Sequence, residues 1–333
     1  LMALIYFIGG LSVLIFNYEN IIPSLKIIIF DVFEGSSVVG GFLGASFSLA
    51  FTYGVARGLY SNEAGQGSAP IAHATSKTKH SVEEGFVSIL EPFIDTLIIC
   101  TLTGLVILSS GAWTEKFTNE FERSSMYVVN GSLDEKKDNV EILKLLSGEV
   151  SKLEEFSGEL VVSSGKISNQ ISIINNRSIA EEVIIYKNNE LFTGVINIKE
   201  NTIDSSFKFV GKSLVKSAVL TSKAFNKGFF GNYGEFIVSI GLLLFAFSTV
   251  ITWAYYGDRC TAYLFGESAI IYYRLLYIFA FFIAGSGYID TEIIWNFALI
   301  TVAASTLPNL ISIFLLRRQM KDIISSYNTS EIV

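Results

Sequence analysis

GGFLGASFSLAFTYGVARGLYSNEAGQGSAPIAHA, from Gly40 to Ala74, decides how the chain is read. Its first half is apolar enough to enter a bilayer. Yet Gly40, Gly41 and Gly44 stand where a spanning helix prefers side chains, and the stretch runs directly into Ser61, Asn62, Glu63, Gln66 and Ser68. Glycine weakens helix continuity and frees backbone groups, and in lipid such backbone is tolerated only when it is packed in protein or lines a wet cavity. An interrupted helix beside a polar run therefore points to a solute path.

The composition around it agrees. Half of the 333 residues are hydrophobic and only 17% are charged, too apolar and too charge-poor for an ordinary soluble domain. The formal charge of −7 gathers in the middle of the chain, and no cluster of Lys and Arg marks a nucleic-acid footprint. Cys100 and Cys260 lie on different elements and give no disulfide framework. His73 and His80 lack Cys or carboxylate companions at metal-ligand spacing, which argues against a metal site. Leu1 opens inside an apolar run without a basic leader or an initiator methionine, and this reads as a truncated start.

Apolar runs predict six spans, at residues 3–17, 38–56, 86–109, 236–255, 269–287 and 293–316. Pro92 should kink the third, because proline lacks the N–H that the preceding turn needs. Residues 20–37, with Pro23, Lys26, Asp31 and Glu34, read as an amphipathic half-helix, either on the membrane surface or as the outer half of the broken helix. Arg57, Lys77 and Lys79, then Arg259 and Arg274, then Arg317, Arg318 and Lys321 fall on one face if all six spans are real; that face, with the C-terminus, is the cytoplasm. Between Trp113 and Lys212 the composition turns to Glu, Lys, Ser and Asn. GELVVSSGKIS and EEVIIYKNNELFTGVINIKEN alternate like half-buried strands, Lys187-Asn188-Asn189-Glu190 looks like a hairpin turn, and DNVEILKLLSGEVSKLEEF has helical spacing. The expected organisation is membrane spans in 1–112, a small extracytoplasmic α+β domain in 113–212, and further spans with a cytoplasmic tail in 213–333. The insert is a partner-contacting module without chemistry, or else a solute-capturing domain.

GVARGLYSNEAGQGSAPIAHATSKT, EEGFVSILEPFIDTLIICTLTGLVIL and LFAFSTVITWAYYGDRCTAYLFG closely resemble the alanine or glycine:cation symporter family. The resemblance implies an all-α polytopic membrane protein of the LeuT kind, with two inverted repeats of five helices and the first helix of each repeat broken near the midplane. The six spans would match core helices five to ten, with the first four, and half of the substrate and ion shell, belonging to a missing N-terminal half. The insert has no counterpart in the family.

On that reading the break holds a small neutral amino acid, alanine or glycine, through free backbone groups and helix-terminus dipoles. Gly40, Gly41 and Gly44 would supply backbone contacts, Phe42 a wall, and Ser46 or Ser48 polar lining. The alternative for the glycines is close helix packing. Ser248 and Thr249 would ligate a coupling Na⁺, with H⁺ the other candidate ion; hydroxyls bonding back to their own helix is the competing account. Asp95, one turn after Glu91, would ligate the cation, carry a proton or form a structural pair, the last being preferred. Arg57, Asn62 and Glu63 suit an inner gate, or an ordinary solvated loop. Trp253 and Tyr255 read as interface aromatics.

No nucleophile elbow, phosphate-cradling loop or paired His constellation supports an enzyme, and no cofactor is expected. The leading expectation is Na⁺-coupled symport of alanine or glycine across the plasma membrane by alternating access. The alternatives are another small neutral amino acid as substrate, or a non-transporting membrane subunit that displays the insert.

Overall fold

Among the described residues of the computed structural model, four helical stretches are long and apolar enough to cross a bilayer: Ser81–Ser109, Gly231–Phe265, Glu267–Gly285 and Ile293–Tyr327. A fifth candidate is the pair Met2–Phe16 and Tyr18–Phe30, which meet at 85°. None of the Glu267–Gly285 window is buried inside the protein. Side chains such as Leu275, Phe279 and Phe282 are exposed along it, a surface that suits acyl chains rather than water. The structure describes residues 2–34, 51, 54–55, 58, 62–63, 65–135, 137–147, 150–199, 203–204, 206–286 and 291–330. The expected second span, 38–56, falls almost wholly outside them.

The helices in order are α1 (Met2–Phe16), α2 (Ile21–Glu34), α3 (Ala69–His73), α4 (Ser81–Pro92), α5 (Thr101–Ser109), α6 (Asn139–Ser147), α7 (Ser217–Phe225), α8 (Gly234–Phe265), α9 (Ile270–Gly285) and α10 (Thr291–Ser330). Between α4 and α5 the chain stays helical, but Phe93–Cys100 is π-helix. Pro92 offers no N–H to the ladder, and the wider turn after it is one recognised way to absorb the lost bond. The expected kink thus takes the form of a change in helical register.

Two compact units emerge, one of Leu1–Ala3, Tyr53–Leu102 and Ile240–Val333, the other of Leu4–Thr52 and Thr103–Ser239. In the first, α8 runs ten residues beyond the expected end at Tyr255, until Gly266, at φ +88, stops it. The short connection expected between residues 255 and 269, which was to hold Arg259, is thus mostly helix. Arg259 and Arg274 are both helical, and Arg274 reaches back to Asp258 of α8. The α8–α9 hairpin is close-packed: a β-carbon at Gly257 would collide with the Tyr273 hydroxyl, and the Tyr277 hydroxyl donates to the Val250 carbonyl at 3.0 Å.

The second unit joins α1, α7 and the start of α8 to a β-rich region. Small residues make the helical approach possible. A side chain at Gly9 would strike Ile237 and Phe225, and one at Gly228 would strike Val13. The Asn17 amide donates to the carbonyls of Val13 at 2.9 Å and Lys227 at 3.1 Å. The strands are β1 (Phe117–Glu120), β2 (Met126–Asn130), β3 (Gly158–Ser163), β4 (Lys166–Ile167), β5 (Ile171–Asn175), β6 (Ser178–Ile179), β7 (Glu181–Lys187), β8 (Glu190–Leu191), β9 (Gly194–Ile198) and β10 (Phe207–Ser213). They form antiparallel sheets in the orders β1-β10-β7-β8, β2-β5-β6 and β4-β3-β9.

Hairpins β3–β4, β5–β6 and β7–β8 each turn on two residues with positive φ, Ser164-Gly165, Asn176-Arg177 and Asn188-Asn189. That geometry matches the twist of antiparallel strands, and the expected turn at Asn188-Asn189 is among them. Among the described residues of the stretch with helical spacing, Asn139–Ser147 are helix. Glu155 instead bridges to Val129 and the Phe156 N–H donates to the Val128 carbonyl, so a strand edge captures the end of the stretch. Val128, Leu160, Ile173, Ile185, Ile196 and Phe209 form the core of the region. Ile185→Ala, at a side chain with no exposure, should cost about 2–5 kcal/mol and speed proteolysis within the strands of the intact protein.

Candidate functional site

The polar half of the opening stretch is a built structure. Gly65 and Gly67 have φ of +87 and +91, a region where side chains are strained, so the chain turns twice within three residues. Local bonds hold the turns: the Gln66 N–H donates to the Glu63 carbonyl at 3.0 Å, the Gln66 side chain to the Asn62 carbonyl at 3.2 Å, and the Ser68 hydroxyl to Glu63 Oε2 at 2.8 Å. Pro70 then opens the five residues of α3, where its fixed φ fits the first turn. The Gln66 side chain is buried, at 7% exposed, while Asn62 and Glu63 are half-buried.

Three helices of the same unit receive the segment. From α10, the Asn309 amide, directly after Pro308, donates to the Gly65 carbonyl at 3.0 Å, and a β-carbon at Gly67 would press on Asn309 at 3.2 Å. From α8, the buried Tyr256 lies near Glu63 and Glu91. From α4, Glu84 and Glu91 face His73, with Nδ1 2.7 Å from Glu84 Oε1 and Nε2 3.3 Å from Glu91 Oε2. The two glutamates, seven residues apart, share one face of α4. Hydrogen bonding to Glu84 raises the His73 pKa above its ordinary 6.5; burial opposes the shift, and Glu91 adds to it.

A second polar feature is the Asp258–Arg274 pair, which joins α8 to α9. Arg274 Nε is 3.2 and 3.1 Å from the two carboxylate oxygens and its terminal nitrogen 2.6 Å from Oδ2, a forked contact to a carboxylate that is 6% exposed. Both residues lie within candidate spans. In the sequence the signal for this pair is Gly257-Asp258-Arg259 inside a helix with no breaker before Gly266, and the signal for Asn309 is a Pro-Asn step in an apolar run.

Of the expected site residues, Gly40, Gly41, Phe42, Gly44, Ser46, Ser48 and Arg57 lie outside the described residues. Asn62 and Glu63 are in the folded segment just described. Asp95 is half-buried in the π-helical stretch, with the Thr96 hydroxyl 3.5 Å from its carboxylate. On α8 the Ser248 hydroxyl donates to the Phe245 carbonyl at 2.8 Å, the local bond that competes with the ion role, and Thr249 is exposed. A donating hydroxyl keeps its lone pairs, so Ser248 retains the means to ligate a cation.

The sequence profile described as the sodium:alanine symporter family matches residues 1–137 and 192–332. This chain belongs to that family. The family profile passes over 138–191, within the β-rich region. Among individual relatives, an uncharacterized transporter of Haemophilus influenzae is 28% identical over 318 residues, 95% of this chain and 48% of that protein. The transporter YflA of Bacillus subtilis, also uncharacterized, is 28% identical over 331 residues, 99% of this chain and 50% of the relative. A sodium/alanine symporter, AgcS, of Methanococcus maripaludis is 28% identical over 315 residues, 95% and 47% respectively. This family member thus spans about half the length of the curated relatives it matches. No solved structure matches it. The sodium:alanine symporter family is one of membrane transporters and not of enzymes, and the segment from Asn62 to His73 lies in the first matched block, with Tyr256 and Asn309 in the second.

Proposed function

We propose that the protein takes part in Na⁺-coupled symport of alanine or glycine across the plasma membrane by alternating access, with the C-terminus cytoplasmic. The observation that carries this reading is the Asn62–His73 segment, seated by Tyr256, Asn309, Glu84 and Glu91 against three candidate spans. A polar, glycine-turned segment held this way among membrane helices is what a movable inner gate requires. The reading includes a LeuT-like arrangement in which Gly40, Gly41 and Gly44 offer backbone groups to the amino acid, Phe42 bounds its side chain, and Ser46 and Ser48 line the path. Ser248, Thr249 and Asp95 belong to the cation shell, Arg57, Asn62 and Glu63 to the gate, and the β-rich region in 113–212 to the extracytoplasmic side.

The test is uptake of labelled alanine by proteoliposomes holding the full-length protein. Uptake should follow an inward Na⁺ gradient and fail when K⁺ replaces Na⁺; saturable uptake indifferent to Na⁺, or none, overturns the proposal. Glutamine is the second substrate to try, because a Bacillus subtilis protein described as a probable sodium/glutamine symporter, GlnT, is 41% identical over 110 residues. Thr249→Ala removes one oxygen ligand, worth about 1.4 kcal/mol or more, and should raise the Na⁺ concentration for half-maximal uptake about tenfold. An unchanged Na⁺ response takes Thr249 out of the shell.

A further inference from the structure

Both ring nitrogens of His73 face carboxylates, Glu84 at 2.7 Å and Glu91 at 3.3 Å. A neutral imidazole donates from one nitrogen and presents a lone pair from the other. Against two ionised carboxylates, the neutral ring would point that lone pair at a negative charge. One added proton satisfies the geometry, held on the ring or shared with an acid. We propose that His73, Glu84 and Glu91 form a proton-binding site whose occupancy latches the Asn62–His73 segment to α4 and whose emptying releases it. The latch rests on the reading of that segment as an inner gate.

The surroundings make the proton decisive. Near the trio are Ser76, close to Glu84 and with its hydroxyl 3.2 Å from that of Thr78, and, from α8, Tyr256, which lies near Glu63 and Glu91. Among the described residues His73 is the one cation paired with either acid. When it loses its proton, two carboxylates on one face of α4 are left with a ring that can satisfy one of them. His73 also ends α3, which continues directly from the Gly65–Gly67 turns, so releasing the ring releases the anchored end of the segment. The sign follows from the raised histidine: the latch is complete at low pH and is lost as pH rises through a midpoint above 6.5.

The test uses the full-length protein in proteoliposomes, on a background without other cysteines, with a reporter cysteine at Ala72→Cys in α3. Thiol labelling is followed from about pH 6 to 9, the range where a perturbed histidine titrates. It is normalised to the same reporter in the His73→Gln protein, which shares the ionisation of the thiol. Normalised labelling should climb by up to about tenfold per pH unit around the midpoint and then level off. If the two proteins track each other across the range, the latch is wrong. Should His73→Gln fail to fold, Glu91→Gln serves, normalised to the reporter cysteine in denatured protein: it keeps the Glu84 contact and should lower the midpoint, and an unmoved midpoint is equally fatal. Alanine uptake is measured separately. Labelling that depends on pH without Na⁺-driven uptake overturns the transport reading and keeps the latch; Na⁺-driven uptake with labelling indifferent to pH does the reverse.

Discussion

Arg274→Ala is expected to cut the amount of folded, membrane-extracted protein about tenfold, because losing the partly exposed guanidinium strands a buried carboxylate charge. The stranded group is Asp258, 6% exposed and held from two sides by the forked guanidinium. Lysine in place of Arg274 should rescue only in part, since an ammonium cannot reproduce the two-pronged contact. Asp258→Asn with Arg274→Gln, which removes both charges and keeps hydrogen-bonding shapes, should restore most of the yield. The readout is the monodisperse peak in detergent gel filtration at matched expression. A single Arg274→Ala variant that elutes and survives heating like the parent would show that the pair contributes little to the α8–α9 hairpin, leaving Tyr277–Val250 and the Gly257–Tyr273 contact to hold it.

The second large effect concerns Gly67. Alanine there must hold φ near +91, a left-handed conformation that costs a side chain about 1–2 kcal/mol, enough to lower the seated population of the segment about tenfold. Its β-carbon would also press on Asn309, 3.2 Å away. Gly65→Ala separates the two causes, because Gly65 shares the positive φ but has open space where the β-carbon would go. Alanine uptake should fall in both variants, and further in Gly67→Ala. Equal losses would assign the whole effect to backbone conformation and none to Asn309. Wild-type uptake in both would mean that the turns have no part in the transport cycle.

Much of this architecture is legible in the sequence because lipid and sheet impose simple periods. The runs ending at Ser109 and starting near Phe236, Ala269 and Ile293 announce spans by length and apolarity, and Asn188-Asn189 announces a hairpin because asparagine tolerates positive φ. The ends of helices are harder. Counting basic residues treats an arginine as a marker of the cytoplasmic end of a span, yet Arg274 lies inside the expected span 269–287 and sits on α9, where Asp258, sixteen residues earlier on α8, pairs with it. The histidine cluster is hidden for a related reason. His73 has no carboxylate at local ligand spacing, and its partners come from the next helix, where Glu84 and Glu91 reach it only after the chain has turned back. Spacing along a chain reports contacts within an element; contacts between elements need the turn to be known. The glycines at 40, 41 and 44 remain expectations from sequence, as does their role at the break.

The length of α10 has a mechanical meaning. Forty residues of helix measure roughly 60 Å, about twice the hydrocarbon thickness of a bilayer. The rod is held at one point by Asn309 against the Gly65 carbonyl, and further along by Tyr327, whose ring meets His80 edge-on with centroids 5.5 Å apart. Asn309 and Tyr327 are separated by roughly 27 Å of helix, so a tilt of about 10° pivoting on Asn309 would swing the far contact by about 5 Å. His80 immediately precedes α4, the helix that carries Glu84 and Glu91. Any such tilt would make the rod a lever, with its fulcrum at the glycine turns and its load at the root of the helix that carries the partners of His73.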